Sequence, residues 1–216
     1  MFQAILKVNR RFKAVEMPQL HQDIYKAAGS GTGPGTAPRE FLFRDYDCSG
    51  GTGVILRTCK ELRTLPGWNV ACVTPFQPVR SVGDELEFRI RVHATTNIKP
   101  DTPNVRWKKR DVYSLHIEKL KSQKVSPWPS REEILEGSVG EWFRFQGASK
   151  GFEVVVLGVG EGLSYDFQKP DGQRVRYRTH DISGLLKVTD PKAFAETLTK
   201  GIGSKRTYGC GLLLVK

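Results

Sequence analysis

The sequence predicts an α+β fold of two tandem β-α-β-β-α-β units, residues 1–80, whose second helix is reduced, and residues 81–216, each an antiparallel sheet with helices on one face. Three observations predict it. Leu20, Ile24 and Ala27 recur at helical spacing between a first apolar stretch and a glycine-punctuated pair of strands. After a proline-containing linker at 75–82 the pattern restarts, with Leu86, Phe88, Ile90 and Val92 alternating against Glu87, Arg89, Arg91 and His93. Near the end, Asp190-Pro191 combines an N-cap with proline at the first helical position and opens a helix to about Lys200.

Taken in order, residues 2–8 read as a strand and 9–13 as a basic loop. A helix ends at the stop signal Gly29, and the Gly/Thr/Pro-rich segment 30–38 reads as mobile. Strands follow at 40–45 and 53–59, joined by a hairpin at 48–52, and a fourth strand runs over 69–76. Residues 61–67 are too few for a good helix. In the second unit, strand 86–92 leads through a basic, proline-containing loop (99–110) to a helix at 111–121 and a Pro/Trp-rich connector. Residues 152–157 read as a buried strand, and strands at 174–178 and 182–188 follow. The helix from Pro191, a glycine loop and strand 211–215 close the chain. Two such units in tandem are ferredoxin-like, or RRM-like, domains.

Composition narrows the function. Hydrophobic residues make up 38% and charged residues 26%, which is ordinary for a packed protein. Lys and Arg number 34 against 23 Asp and Glu, a net +11 that both halves share, so the predicted partner is a polyanion. The cysteines Cys48, Cys59, Cys72 and Cys210 lack metal-ligand spacing and read as reduced, partly buried thiols in a cytoplasmic protein. No apolar run is long enough to span a membrane. Gly158-Val-Gly-Glu-Gly162 lacks dinucleotide-fingerprint spacing and reads as a strand-connecting loop; there is no phosphate-loop motif for a nucleotide cofactor.

Candidate contacts to the polyanion are cations repeated on one face. They are Arg89 and Arg91, with His93, on the solvent face of one strand, then Lys108, Lys109 and Arg110, then Arg174, Arg176 and Arg178 opposite Val175 and Tyr177. The last is the closing loop, where Gly201, Gly203, Gly209 and Gly211 surround Lys205 and Arg206. Glycine permits positive φ and turns N–H groups outward toward phosphate. No aromatic-rich strand of the kind that stacks single-stranded bases is present, which disfavours a generic RNA-recognition protein.

The ending Gly201-Ile-Gly-x5-Gly-Cys-Gly-Leu-Leu-Leu-Val resembles the C-terminal glycine loop of CasE-type CRISPR RNA-processing endoribonucleases of the type I-E Cascade complex, in the RAMP superfamily. Gln19-Leu-His-Gln22 resembles that family's active-site histidine segment. Residues 88–94 and 185–191 resemble its second-domain opening strand and last helix entry. The resemblance covers essentially the whole chain.

It implies two ferredoxin-like domains, metal-independent cleavage at the base of a repeat hairpin in precursor CRISPR RNA, retention of the mature guide RNA and assembly with other Cascade subunits. On this reading no metal and no small-molecule cofactor is expected, and a membrane is not a partner. Such cleavage uses the 2′-hydroxyl as internal nucleophile and leaves a 2′,3′-cyclic phosphate and a 5′-hydroxyl. His21 carries the proton transfer on this reading, since an imidazole titrates near neutrality. It lies about 100° from Leu20 on the helix and so borders the apolar face.

Lys26 matches a lysine of the family and would stabilise the phosphorane and favour the neutral imidazole, although it lies about 140° round the helix. The pattern departs at Pro18, where relatives often carry tyrosine. Tyr25, one turn after His21, is on the same face and is the substitute, or else a core aromatic. The alternative function is a non-catalytic RNA-binding subunit of the same fold.

Overall fold

A computed structural model of the chain describes residues 1–28, 41–99, 107–169 and 171–216. The first sheet contains β1 (Phe2–Val8), β2 (Phe41–Cys48), β3 (Gly51–Thr58) and β4 (Trp68–Pro75), ordered β2-β3-β1-β4 with every neighbouring pair antiparallel. Helix α1 (Met17–Ala27) covers one face. Its Met17, Leu20, Ile24 and Ala27 are buried at helical spacing against Phe43, Val54 and Leu56. No helix forms between β3 and β4, as the shortness of 61–67 requires.

The second sheet has order β10-β5-β9-β8, from β5 (Glu85–Val92), β8 (Phe152–Gln168), β9 (Arg174–Val188) and β10 (Leu214–Val215). Relabelled within its own unit it repeats the order of the first sheet, so the chain is a tandem of ferredoxin-like folds. Between β5 and β8 lie a two-stranded ribbon, β6 (Thr95–Ile98) with β7 (Lys108–Asp111), then α2 (Val112–Ser122), α3 (Arg131–Leu135) and α4 (Glu141–Lys150). Helix α5 (Pro191–Lys200) is capped by Asp190, which accepts from the Lys192 and Ala193 N–H groups at 2.9 and 3.1 Å. Phe194 and Leu198 enter the second core beside Phe152, Leu186 and Val188.

Several expectations need correction. Helices α3 and α4, joined by a π-helical segment at Glu136–Gly140, occupy a stretch with no predicted element. Gly137, Gly140 and Gly147 interrupt its apolar spacing. At Gly147 the helix touches β8 so closely that a Cβ would lie 2.6 Å from the Phe152 carbonyl. Residues 108–110, expected in a loop, form most of β7. The strand from Phe152 is not buried throughout: it continues to Gln168, absorbing Gly158–Gly162 across a register shift, and exposes Val155 and Val156. It is an edge strand of the second sheet, with only β9 beside it among the described residues. Only residues 214–215 of the closing segment pair as a strand. Gly29 and residues 30–38 lie outside the described residues.

The extra length of the β8–β9 hairpin has a packing role. Its far half sends Tyr165, Phe167, Val175 and Tyr177 into the core of the first sheet. A second link is Arg57 on β3, only 2% exposed. Its guanidinium donates to the carbonyls of Leu198 (2.7 Å) and Leu213 (3.2 Å) and to Gln3 Oε1 (2.9 Å), and stacks 3.7 Å from the Phe76 ring. Burial pushes its pKa down to about 10, which leaves it cationic at neutral pH.

Arg57→Met removes the donor from two buried carbonyls, each hydrogen bond to a charged group being worth about 1.5–3 kcal/mol. The expected result in urea denaturation is a loss of about 3 kcal/mol, with a lower midpoint and no new ligand dependence.

Candidate active site

Helix α1 presents His21 at the seam between the two sheets, where it is 8% exposed. Two phenols flank it. Tyr25, one turn further on, has its ring centroid 6.1 Å from the imidazole. Tyr208, from a 3-10 turn at Arg206–Tyr208 in the C-terminal glycine loop, has its centroid at 5.8 Å. Tyr25 also meets Phe41 edge-on at 6.0 Å, so it serves as a half-buried core aromatic as well as a neighbour of the histidine.

Tyr208 is held in turn by Phe167 (5.1 Å, edge-on) and Tyr177 (5.8 Å, stacked), both from the β8–β9 hairpin. Lys205 begins the turn in the left-handed region, φ 57°, and its Nζ lies 5.4 Å from the Tyr177 centroid and 5.9 Å from that of Tyr208. Burial, and then Lys169, lowers the Lys205 pKa. Gly209 closes the turn at φ 78°, passing so near β2 that a Cβ would stand 2.7 Å from the Asp45 carboxylate.

Beside this cluster opens a groove of about 780 Å³ lined by Lys109, Arg176, Arg178 and Lys205, with Asp111 and Asp166 as its acids. A smaller groove, about 290 Å³, is lined by Gly201, Gly203, Arg206, Lys109 and Trp142. Four of the predicted cations therefore share one concavity. Arg174 and Arg176 both pair with Asp166 across the hairpin, at 2.8 and 2.7 Å. The hydrogen bonds from Arg174 and then Arg176 pull the Asp166 carboxyl down to about 2. Arg178 lies over the Tyr113 ring. Lys108 is exposed on β7, and Arg110 pairs with Glu118 at 2.6 Å.

The remaining candidates are placed differently. Of the three cations expected on the solvent face of β5, only Arg89 is exposed. Arg91 is on the predicted face, but the first sheet covers that end: its guanidinium meets Asp181 at 2.9 Å and Asp45 at 3.3 Å. Burial opposes the charge, and the Asp181 hydrogen bond with Asp45 outweighs it, so the pKa moves up. Arg91 is thus committed to carboxylates between the sheets. His93 is buried and donates from Nδ1 to the Arg178 carbonyl at 2.8 Å. Gly201 is buried, with Leu42 filling the space a Cβ would take, and it lines the smaller groove. Lys26 is exposed on the solvent side of α1, whereas His21 faces inward. Tyr208 is the neighbour that local pattern does not show; its one signal is a large aromatic inside an otherwise small-residue loop.

These features define a basic, cleft-bearing tandem of ferredoxin-like folds with a sheltered histidine, and the chain belongs to the family of CRISPR-associated proteins, whose model matches residues 3–216. No curated protein matches the sequence. Among solved structures it is similar to CRISPR endoribonuclease Cse3 bound to a 19-nucleotide RNA (19% identity, TM-score 0.72, all of both chains covered). It is also similar to Thermus thermophilus Cse3 bound to an RNA representing a pre-cleavage complex (18%, TM-score 0.70, all of both chains). A third is Cas6e from Escherichia coli K-12 (19%, TM-score 0.67, covering all of this chain and 98% of the other). At these identities the likeness speaks for the shared fold.

Burial holds both His93 and His180 below the ordinary histidine value of 6.5. Neutral histidine is favoured by folding, so this stability is fully present above 6.5 and is lost as pH falls through the folded values. Urea midpoints are expected to drop between about pH 7.5 and about pH 5, and His180→Gln is expected to reduce that slope.

Proposed function

We propose that the chain is a CasE-type endoribonuclease that binds the repeat hairpin of precursor CRISPR RNA, cuts at its base without a metal and keeps the mature guide. The observation that carries this reading is that one loop joins a sheltered imidazole to a cation-lined groove: its Tyr208 packs on His21, and its Lys205 lines the groove of the second fold. A-form RNA hides its base edges in a deep groove, so a hairpin is gripped by shape and backbone charge. Lys109, Arg176, Arg178 and Lys205 supply charge along a surface that one stem can follow. The fold neighbours support the reading, being named as an endoribonuclease bound to RNA and as parts of CRISPR RNA-guided surveillance complexes. On the same reading the guide RNA and other Cascade subunits are the partners.

In the proposed step the 2′-oxygen attacks the adjacent phosphorus, the bond from phosphorus to the 5′-oxygen breaks, and a 2′,3′-cyclic phosphate and a 5′-hydroxyl result. A proton leaves the 2′-hydroxyl and one reaches the 5′-oxygen; His21 performs one of these transfers. Residues 1–80 then contribute the proton-transfer group, and residues 81–216 contribute most of the cations. Lys26 lies on the solvent side of α1 and acts here only if RNA reaches that side. Tyr25 lies beside the imidazole, and that proximity supports a role for it in the proposed site.

The test is cleavage of a repeat hairpin in EDTA by wild type and His21→Ala. Wild type is expected to cut, and the variant to be slower by about 100-fold or more while binding equally well. Tight binding with no cutting by wild type would leave the non-catalytic RNA-binding subunit as the better account. Binding itself is expected to weaken steeply with salt, and Lys205→Ala to lower the slope of log Kd against log salt by about one.

A further inference from the structure

The C-terminal loop comes to the histidine as well as to the groove. Tyr208 lies against the His21 ring, and the loop leaves it little freedom. Its N–H donates to the Lys205 carbonyl at 2.8 Å, closing a turn whose two ends, Lys205 and Gly209, are both left-handed. The Asp45 carboxylate and the Phe43 ring crowd Gly209, so the turn is pinned to β2. Phe167 and Tyr177 pack the phenol from the hairpin side. A tyrosine has only two side-chain torsions, and the Phe167 and Tyr177 rings restrict both. The imidazole borders the apolar face of α1, and its surroundings include two rings: one from its own helix and one from the far end of the chain.

We propose that Tyr208 is a positioning residue for His21: its ring, delivered by the glycine loop, holds the imidazole in a single orientation at the seam. The inference rests on the reading of His21 as the proton-transfer group. It makes the loop part of the reaction as well as of RNA binding, because displacement of a proton-transfer group by about 1 Å costs up to about 100-fold in rate.

Single-turnover cleavage of the repeat hairpin at saturating protein, with Kd measured separately, tests it. Tyr208→Leu is expected to slow cleavage by about 10- to 100-fold with Kd unchanged, and Tyr208→Phe, which keeps the ring, to behave like wild type. In a His21→Ala background Tyr208→Leu is expected to add nothing, since it acts through the imidazole. A Tyr208→Leu rate equal to wild type overturns the inference, as does a rate loss explained by a loss of RNA affinity. Failure of the catalytic reading looks different: His21→Ala then cuts like wild type, or nothing cuts. In that event NMR of the His21 side chain still decides. Rotamer averaging that appears only in Tyr208→Leu supports positioning, and a ring equally ordered in both proteins overturns it.

Discussion

A buried cation with no carboxylate partner among the described residues joins the two sheets. Arg57 touches β1 through Gln3, the linker through Phe76, the end of α5 through the Leu198 carbonyl and the approach to β10 through Leu213. A guanidinium suits this place because its planar fork offers several donors at fixed angles and is weakly hydrated compared with an ammonium. Carbonyls at a helix C-terminus carry partial negative charge and lack intrahelical donors. Arg57 satisfies one of them and holds the last strand of the second sheet against the third strand of the first.

Two other contacts work in the same direction. Arg91 spans from β5 to Asp45 on β2, and the aromatic half of the β8–β9 hairpin completes the first core. With three links between the sheets, the seam is a defined place, and the groups along it have fixed neighbours. His21, Tyr208 and the groove cations come from α1, the glycine loop, the ribbon and the hairpin. None of these segments makes a site alone. The site exists because the sheets are locked in one arrangement.

Much of the fold is legible in the chain. Leu20, Ile24 and Ala27 announce α1, Asp190-Pro191 announces α5, and the alternation at 86–92 announces β5, because each signal is local and its period is undisturbed. Helices α3 and α4 are not legible, since glycines replace the apolar residues that would mark a period: Gly140 and Gly147 lie close against β8, and Gly137 against His116 of α2. The site is legible in part. His21 is singled out as a candidate by its motif and the basic strands by their repetition. Burial of Arg91 and the approach of Tyr208 to His21 depend on how one sheet sits on the other, which no local pattern encodes. The closing loop, conspicuous for its glycines, matters as much for the tyrosine they deliver.

The central claim is that chemistry happens at the seam, with the RNA stem in the adjoining groove. The most direct measurement is a structure of the protein with a repeat hairpin carrying a 2′-deoxy sugar at the scissile nucleotide, which binds but cannot react. The account predicts the scissile phosphate within hydrogen-bond reach of His21, about 3 Å, with the stem against Lys109, Arg178 and Lys205. A stem seated on the open face of the second sheet, with the scissile phosphate far from His21, would contradict it.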